Sequence, residues 1–378
     1  MKTTFPHLGN FYIPFRSFLL ELGLEPVIPP FTTGRTIALG TKLAPEFACF
    51  PFKVNLGNYI EAIASGAELI LMVGGIGPCR LGYYGALQQE ILREAGFGVE
   101  MVLIEAPKTH PRQLYEKIRR YIPRHRPVDL ARAFRIFWSK AKALDEFDQL
   151  VNQIRPRARN PAGATKLQTR FYDALDQADG IRRVRQCLAL GIEELAGLPG
   201  MAGYEPLRLD LVGEIYMVLE PRVNFGIETL LGEMRVEIER TIHLTEWIKE
   251  HVFYSIFKPD WSRTLRKLAE PYLQYPVGGH GMETIAHTVA AGVNRRDGAI
   301  HLTPFTCMPE IVAMQAIPAV RRDFGIPVLS LIVDEHSSEA GVLTRIEAFI
   351  DLLRRKQNAP LPAAPELECA PDLQPAEL

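Results

Sequence analysis

The stretch AELILMVGGIGPCRLGYYG, residues 67–85, decides the fold class that the sequence predicts. Its first half is a continuous apolar run, which is typical of a strand buried on both faces of a parallel sheet. Its second half is rich in glycine, contains Pro78 and Cys79, and leads into a helical pattern. The stretch therefore predicts a buried strand, a tight loop and a helix, with a cysteine at the mouth of the strand.

Outward from this unit, helical and strand patterns alternate over residues 1–107, and the alternation resumes over residues 206–355. Single helices between strands predict right-handed crossovers and parallel sheets. Residues 108–205 lack a strand pattern and form a predicted helical middle segment. Residues 356–378 are rich in Pro, Ala and Glu, and we expect a disordered tail there. The sequence thus predicts an α/β protein with two parallel-sheet lobes and a cleft between them.

Length and composition limit the number of domains and the kinds of partner that we expect. A chain of 378 residues exceeds the roughly 250 to 300 residues at which single cores stop growing, so two or three domains are expected. A net charge of -1 gives no electrostatic reason to expect nucleic acid or an anionic membrane as a partner. The sequence contains no signal-peptide pattern and no apolar run of membrane-spanning length. We expect a soluble cytoplasmic protein.

Three of the five cysteines share a local pattern. Cys49, Cys79 and Cys307 each have a proline within two residues and a predicted helix close behind, and the last two follow strands. Ligands of open parallel sheets bind beyond the carboxyl ends of the strands, and a helix N-terminus favours thiolate over thiol. Cys187 instead lies in an amphipathic segment and Cys369 in the tail, so we expect a packed residue and an inert one.

Three thiolates are compatible with several chemistries. They can hold three irons of a [4Fe–4S] cluster and leave the fourth iron open to water or substrate. A structural zinc ordinarily requires a fourth ligand and closer cysteine pairs. Unlinked buried cysteines and thiol chemistry are the remaining alternatives. Spacing alone favours the cluster only narrowly over unlinked cysteines.

Five separated motifs carry a resemblance to a known family; they are ACFPFKVNLGNYIEAI, GGIGPCRLGYYGALQQEIL, LDLVGEIYMVLEPRVNFGIETLL, TPFTCMPEIVA and IPVLSLIVDEHSSEAGVLTRIEAFID. Together they resemble the 2-hydroxyacyl-CoA dehydratase component family, and most closely its acyl-CoA dehydratase activase-related branch, also called CoA-substrate-specific enzyme activases. The resemblance covers residues 5–107 and 207–353.

The resemblance implies two flavodoxin-like lobes and an interlobe [4Fe–4S] cluster held by Cys49, Cys79 and Cys307. It implies an oxygen-sensitive protein of anaerobic metabolism, reduced by a separate ATP-hydrolysing activase, that transfers low-potential electrons to a small substrate such as an acyl-CoA. A non-catalytic cluster carrier or scaffold subunit, in a homo- or heterodimer, is the alternative. The chain lacks the G-x-D-x-G-S/T phosphate loop of the ATP-hydrolysing activases, so we expect no ATPase activity from it.

Further residues are candidates for the same cleft. Gly77 lets backbone N–H groups approach a cluster, and Arg80 can donate to a cluster sulfur or an anionic substrate. His280, in the loop VGGHGMET, is a candidate proton-transfer residue.

Other polar residues have expected structural roles. Glu214, predicted to lie inside the strand LVGEIYMVL, is expected to be a buried hydrogen-bonded carboxylate, and Asn224 is expected to line the cleft. Asp334 or Glu335 is expected to pair with Arg345. The basic residues between Arg112 and Lys142 predict a solvated face.

Overall fold

A computed structural model describes residues 1–74, 81–104, 116, 119–121, 126–249 and 262–358. Two four-stranded sheets, both entirely parallel, organise these residues, and the predicted α/β class with two flavodoxin-like lobes is confirmed. The two sheets have the same strand order along the chain, with the second strand at one edge, then the first, third and fourth.

The first lobe contains strands β1 to β4 in the spatial order β2-β1-β3-β4. The strands are β1 (Lys2–Thr4), β2 (Glu25–Pro26), β3 (Leu69–Val73) and β4 (Glu100–Ile104). The helices are α1 (Tyr12–Glu21), α2 (Gly34–Leu43), α3 (Phe50–Ala64) and α4 (Leu81–Glu94). The apolar run that decides the fold class is indeed a buried inner strand, because β3 pairs with β1 on one side and β4 on the other.

Three long helices follow the first lobe: α5 (Pro127–Ile154), α6 (Pro161–Gln177) and α7 (Gly180–Ala196). They belong to the predicted helical middle segment. Aromatic side chains join this segment to the first lobe, with the rings of Phe15 on α1 and Phe137 on α5 at 5.1 Å in an edge-to-face arrangement. Cys187 on α7 is half-buried and packs against the main core, as expected.

The second lobe contains strands β5 to β8 in the order β6-β5-β7-β8. The strands are β5 (Leu207–Gly213), β6 (Val236–Arg240), β7 (Gly298–Pro304) and β8 (Val328–Val333). The helices are α8 (Ile215–Leu219), α9 (Ile227–Glu233), α10 (Leu244–Ile248), α11 (Ser262–Ala269), α12 (Gly281–Val293), α13 (Met308–Phe324) and α14 (Glu339–Asn358). None of the helices within the described ranges is long and apolar enough to cross a membrane.

One prediction about the second lobe is wrong. The sequence LVGEIYMVL predicts a strand that continues to Leu219, but β5 ends at Gly213 and α8 follows directly. Gly213 has φ +137°, a conformation that side chains other than glycine rarely adopt, and a Cβ there would lie 2.0 Å from the carbonyl oxygen of Leu302. Glu214 then caps α8 by accepting a hydrogen bond from the backbone N–H of Met217 at 3.0 Å.

Helix α3 packs against α2 at a distance that only glycine allows. A Cβ on Gly57 would lie 1.9 Å from the carbonyl oxygen of Thr36, and one on Gly40 would lie 1.7 Å from that of Lys53. Backbone atoms occupy both positions, so neither clash is relieved by turning a side chain. The pair of glycines therefore fixes how closely α2 supports α3.

We expect Gly57→Ala to lower the free energy of unfolding by about 2 to 3 kcal/mol, because the added methyl group forces α2 and α3 apart. Gly34→Ala is the matched control on α2, since no atom lies within 4 Å of the position of its Cβ; we expect a change within about 0.5 kcal/mol. Urea unfolding followed by circular dichroism measures both. Equal effects of the two substitutions would contradict the close approach.

Candidate functional site

Cys49 and Cys307 occupy corresponding positions at the starts of two helices. Cys49 is the N-cap of α3 and Cys307 is the N-cap of α13, and each helix has a proline in its first turn. Both thiols are buried, with 8% and 7% of the residue exposed. The unpaired backbone N–H groups of a helix start stabilise negative charge, so both positions favour a thiolate bound to a cation.

These two cysteines interact electrostatically although they belong to different lobes. Burial raises the pKa of the Cys307 thiol above its ordinary value, the carboxylates of Glu214 and Glu310 raise it further, and the nearby Cys49 thiol contributes in the same direction. The backbone N–H of Glu310 donates to Cys307 and lowers the pKa. A thiol in this setting retains its proton until a cation replaces it.

Glu214 adds a half-buried carboxylate that interacts with Cys307. It follows β5, and Cys307 follows β7, so the two flank the point at which the strand order of the second sheet reverses. Such switch points are where open parallel sheets bind ligands. Burial raises the pKa of Glu214 to about 7, the backbone N–H groups of Met217 and Tyr216 lower it, and the charge of Glu310 raises it. The expected hydrogen bonding of Glu214 is present, but the residue is half-buried and lies at a helix start rather than inside a strand.

A buried polar network that the sequence analysis missed holds Glu310. His301 Nε2 lies 2.8 Å from Glu310 Oε2, and the hydroxyl of Thr284 donates to the same oxygen at 2.9 Å. The hydroxyl of Ser330 lies 3.2 Å from the other ring nitrogen of His301. The sequence feature that could have indicated this network is the histidine inside the apolar strand GAIHLTP, because a buried polar side chain requires hydrogen-bond partners.

Cys49 has a second neighbour in its own lobe. Its Sγ forms a hydrogen bond with the hydroxyl of Tyr84 on α4, and the Tyr84 ring packs edge-to-face on Phe52 at 4.8 Å. A hydroxyl directed at a thiolate sulfur is an outer-shell contact of the kind that orients metal ligands. The sequence analysis did not single out Tyr84.

The remaining predicted cluster residues, Gly77, Cys79 and Arg80, lie outside the described residues, as does the tail cysteine Cys369. Within the described ranges, no group of three or more His, Cys, Asp or Glu residues is arranged to hold a metal ion. Cys79 precedes the first residue of α4 by two positions, and α4 follows β3 as α13 follows β7. In the sequence, Cys79 therefore stands two residues before α4, and Cys307 stands one residue before α13.

His280 has an equivalent in the first lobe. It is the N-cap of α12, the helix that precedes β7, and Cys49 is the N-cap of α3, the helix that precedes β3. The start of α12 contacts the start of α13, since a Cβ on Gly281 would lie 2.5 Å from the carbonyl oxygen of Pro309. His280 therefore lies beside the helix that begins at Cys307.

The predicted pairing of Asp334 or Glu335 with Arg345 is wrong. Asp334 accepts hydrogen bonds from the backbone N–H of His336 and the hydroxyl of Ser337, and Arg345 donates to the carbonyl oxygen of Ser330. Glu335 instead pairs with Lys53 on α3 at 2.5 Å. Glu335 pairs with Lys53 of the other lobe rather than with Arg345, because the buried Lys53 ammonium requires a carboxylate partner.

Asn224 contributes to structure near the lobe interface. Its amide group donates to the carbonyl oxygens of Met217 and Val218, and its Oδ1 accepts from the backbone N–H of Ile227. These bonds join the end of α8 to the start of α9. The sequence predicts that Asn224 lines the cleft of the cysteines, but the cavity that it lines is a different one, which contains Leu219 and Glu220 in its wall.

A scan against protein-family models finds no match for this chain, and a search of curated proteins finds none. The family resemblance of the five motifs therefore remains an interpretation of the residues themselves.

The ion pair between Lys53 and Glu335 predicts strong coupling across the lobes. Lys53 is 3% exposed, so Lys53→Met leaves Glu335 buried without its counter-charge, and we expect a loss of about 3 to 5 kcal/mol in unfolding free energy. The double variant with Glu335→Gln should lose less than the sum of the single variants. Urea unfolding of the wild type, the two single variants and the double variant gives the four unfolding free energies of this double-mutant cycle.

The exposed pair of Arg93 and Glu90 is the control for this cycle. We expect Arg93→Gln to cost less than about 1 kcal/mol, because water screens exposed ion pairs. Additive effects of Lys53→Met and Glu335→Gln would show that the two residues do not interact across the interface.

Proposed function

We propose that this chain is an iron–sulfur protein in which Cys49, Cys79 and Cys307 hold a [4Fe–4S] cluster between the lobes and transfer low-potential electrons to a small substrate. The observation that supports it is the convergence of two buried cysteines, each at a helix start and each from a different lobe. Isolated buried cysteines have no reason to meet at the ligand-binding edge of a parallel sheet.

The donor set fits such a group. Cys49 and Cys307 offer thiol sulfur, the soft ligand that iron–sulfur clusters use, and both lie where a helix start stabilises a thiolate. Cys79, by its place in the chain, supplies the third thiolate. A cluster with three protein ligands provides one-electron redox chemistry and one iron able to coordinate substrate.

The surrounding side chains favour a low reduction potential. Glu214 and Glu310 bring carboxylates near Cys307, and negative charge beside a cluster stabilises its oxidised form. The network of His301 and Thr284 keeps Glu310 in position. A lower potential makes electron donation to a substrate more favourable.

Exposed apolar residues beside both cysteines support docking of an electron donor. Phe47 is 69% exposed two residues before Cys49, and Phe305 and Met308 flank Cys307 with 51% and 38% exposed. Apolar side chains grouped at the mouth of a redox site are typical of a transient protein interface. We propose a separate ATP-hydrolysing activase as the partner, and an acyl-CoA thioester among the candidate substrates.

A second candidate is a cluster carrier whose fourth iron is closed by the protein. One observation favours it: His280 occupies the position in the second lobe that Cys49 has in the first. An imidazole nitrogen is a known replacement for cysteine on cluster iron. The carrier and the enzyme therefore differ in whether His280 blocks the iron.

Iron and acid-labile sulfide analysis after anaerobic purification tests the cluster. We expect about four irons per chain and an EPR signal on reduction, both lost in Cys49→Ala, Cys79→Ala and Cys307→Ala because each removes a thiolate ligand. Cys187→Ala is the control and should retain the iron, since Cys187 lies on α7 with its sulfur directed at the carbonyl oxygen of Ala174. Zinc without iron, or unchanged iron content in all three variants, would overturn the proposal.

Cyanide binding to the reduced protein, followed by EPR, distinguishes enzyme from carrier. An open fourth iron binds cyanide in wild type, and His280→Ala leaves this signal unchanged. A carrier closed by His280 shows no cyanide-dependent change in wild type and acquires one in His280→Ala, because removal of the imidazole opens a coordination position.

A further inference from the structure

A cavity of about 750 Å³ lies on the other side of α8 from the cysteines. Glu214 at the start of α8 interacts with Cys307, whereas Leu219 at its end and the adjacent Glu220 line this cavity. The wall also includes residues from the first lobe and from α6. The volume is in the range of small-molecule sites, which span about 300 to 1,000 Å³. We call it the α8 cavity.

A buried histidine in the wall of the α8 cavity has an unused ring nitrogen. His7, with 1% of its surface exposed, shares a hydrogen bond of 2.7 Å between Nδ1 and Glu220 Oε2. Glu220 also accepts from the backbone N–H groups of Gly9 at 2.6 Å and Arg222 at 3.1 Å, so it acts as the acceptor. In the neutral imidazole, Nδ1 then carries the proton and Nε2 presents a lone pair. Nε2 has no hydrogen-bond partner among the described residues.

A second wall of the cavity contains a carboxylate with unused bonding capacity. Glu228 Oε1 is buried and has no hydrogen-bond partner among the described residues, although it lies 3.5 Å from a guanidinium nitrogen of Arg240. Asp148, beside it, already accepts from Gln168 and Tyr172. Burial raises the pKa of Asp148, the Arg240 charge lowers it, and the Glu228 charge raises it. The carboxylates on this side of the cavity thus outnumber the guanidinium group that pairs with them.

The charge count of the whole wall supports the same conclusion. Five carboxylates line the cavity, against two guanidinium groups; the carboxylates are Asp148, Asp173, Glu220, Glu228 and Glu339, and the guanidinium groups are Arg222 and Arg240. Arg155 and Asp145, behind the wall, add one charge of each sign and leave the excess unchanged. Arg240 is surrounded by three carboxylates and is therefore not available to an anionic ligand, which leaves Arg222 as the other guanidinium of the wall.

Aromatic side chains complete the site. The exposed ring of Phe31 lies edge-to-face with His7 at 5.4 Å, and Tyr12 packs on the same ring. The guanidinium of Arg222 lies 5.4 Å from the centroid of the Phe31 ring, so this face is already suited to a cation. Acceptor atoms, excess carboxylates and an aromatic wall together are the chemistry that recognises organic ammonium ions.

We propose that the α8 cavity binds a small organic cation with a primary ammonium group, which donates hydrogen bonds to His7 Nε2 and Glu228 Oε1 while its alkyl part contacts Phe31. Cys49, Cys307, Glu214 and Glu310 are not among the lining residues of this cavity, and its occupancy does not depend on a cluster being present.

Isothermal titration calorimetry of the full chain with a matched set of probes tests this assignment. The probes are n-butylammonium, 1,4-diaminobutane, n-butanol and butyrate, at roughly 0.15 M salt to screen weak surface attraction. We expect saturable binding of the two ammonium compounds, and at least tenfold weaker binding of n-butanol and butyrate. Equal binding of all four probes, preference for butyrate, or no binding of either ammonium compound overturns the proposal.

Three variants locate the binding. Glu228→Gln keeps the shape of the wall and removes one charge, and we expect at least fivefold weaker binding of 1,4-diaminobutane. Phe31→Leu, at an exposed position, should weaken n-butylammonium binding severalfold without affecting folding. Glu233→Gln, which removes the same charge from the same helix α9 outside the cavity, is the matched control and should change the affinity less than twofold. Equal effects of Glu228→Gln and Glu233→Gln would show that the ammonium compounds respond only to the net charge of the protein, and this result would overturn the proposed site.

Discussion

The burial of α3 on almost every side is the constraint on which the site depends. Twelve of its fifteen residues are buried, including Lys53, Asn55 and Asn58. A helix without a solvated face must be packed by neighbours all round. Glycine contacts with α2 support one side, and the ion pair of Lys53 with Glu335 connects another to the second lobe. The position of Cys49 at the start of α3 is therefore fixed by both lobes at once.

The duplicated strand order explains why cysteines from distant parts of the chain can meet. Each sheet reverses its strand order between its first and third strands, and the loops after those strands open toward the same side. In the second lobe these loops carry Glu214 and Cys307. With the first lobe opposed to this edge, helix starts from both lobes converge on one space. The chemistry proposed for the cleft needs this convergence, since three ligands from a single loop would leave one face exposed to water.

The sequence predicts the fold class because the strongest patterns are local. The apolar run before Gly74 and the strand β7 are inner strands, so their hydrophobicity is visible without any tertiary information. β1 was not predicted because three residues provide too short a pattern. The error at Glu214 has a different cause: IYMVL is as apolar as a strand, and only the left-handed backbone at Gly213 and the carboxylate cap convert it to a helix.

The site is less predictable than the fold because its polar contacts join distant residues. The positions of Cys49 and Cys307 relative to helices follow from nearby prolines, which act locally. The partners of Glu310, Glu335 and Glu220 lie on other elements, in two of the three cases in the other lobe. No periodicity encodes such pairs. A general rule still applies: each buried charge must be paired, so a charged residue beside an apolar strand indicates a partner elsewhere.

Helix α8 has a carboxylate at each end, and the partners of the two carboxylates differ in kind. Glu214 at the start accepts a hydrogen bond from the backbone N–H of Met217, which lowers its pKa, whereas desolvation raises the pKa to about 7. Glu220 at the end accepts from two backbone N–H groups and from His7, and holds the imidazole in one orientation. Helix α8 therefore has one end beside Cys307 and the other end in the wall of the α8 cavity, so the geometry of each site depends on the position of this short helix.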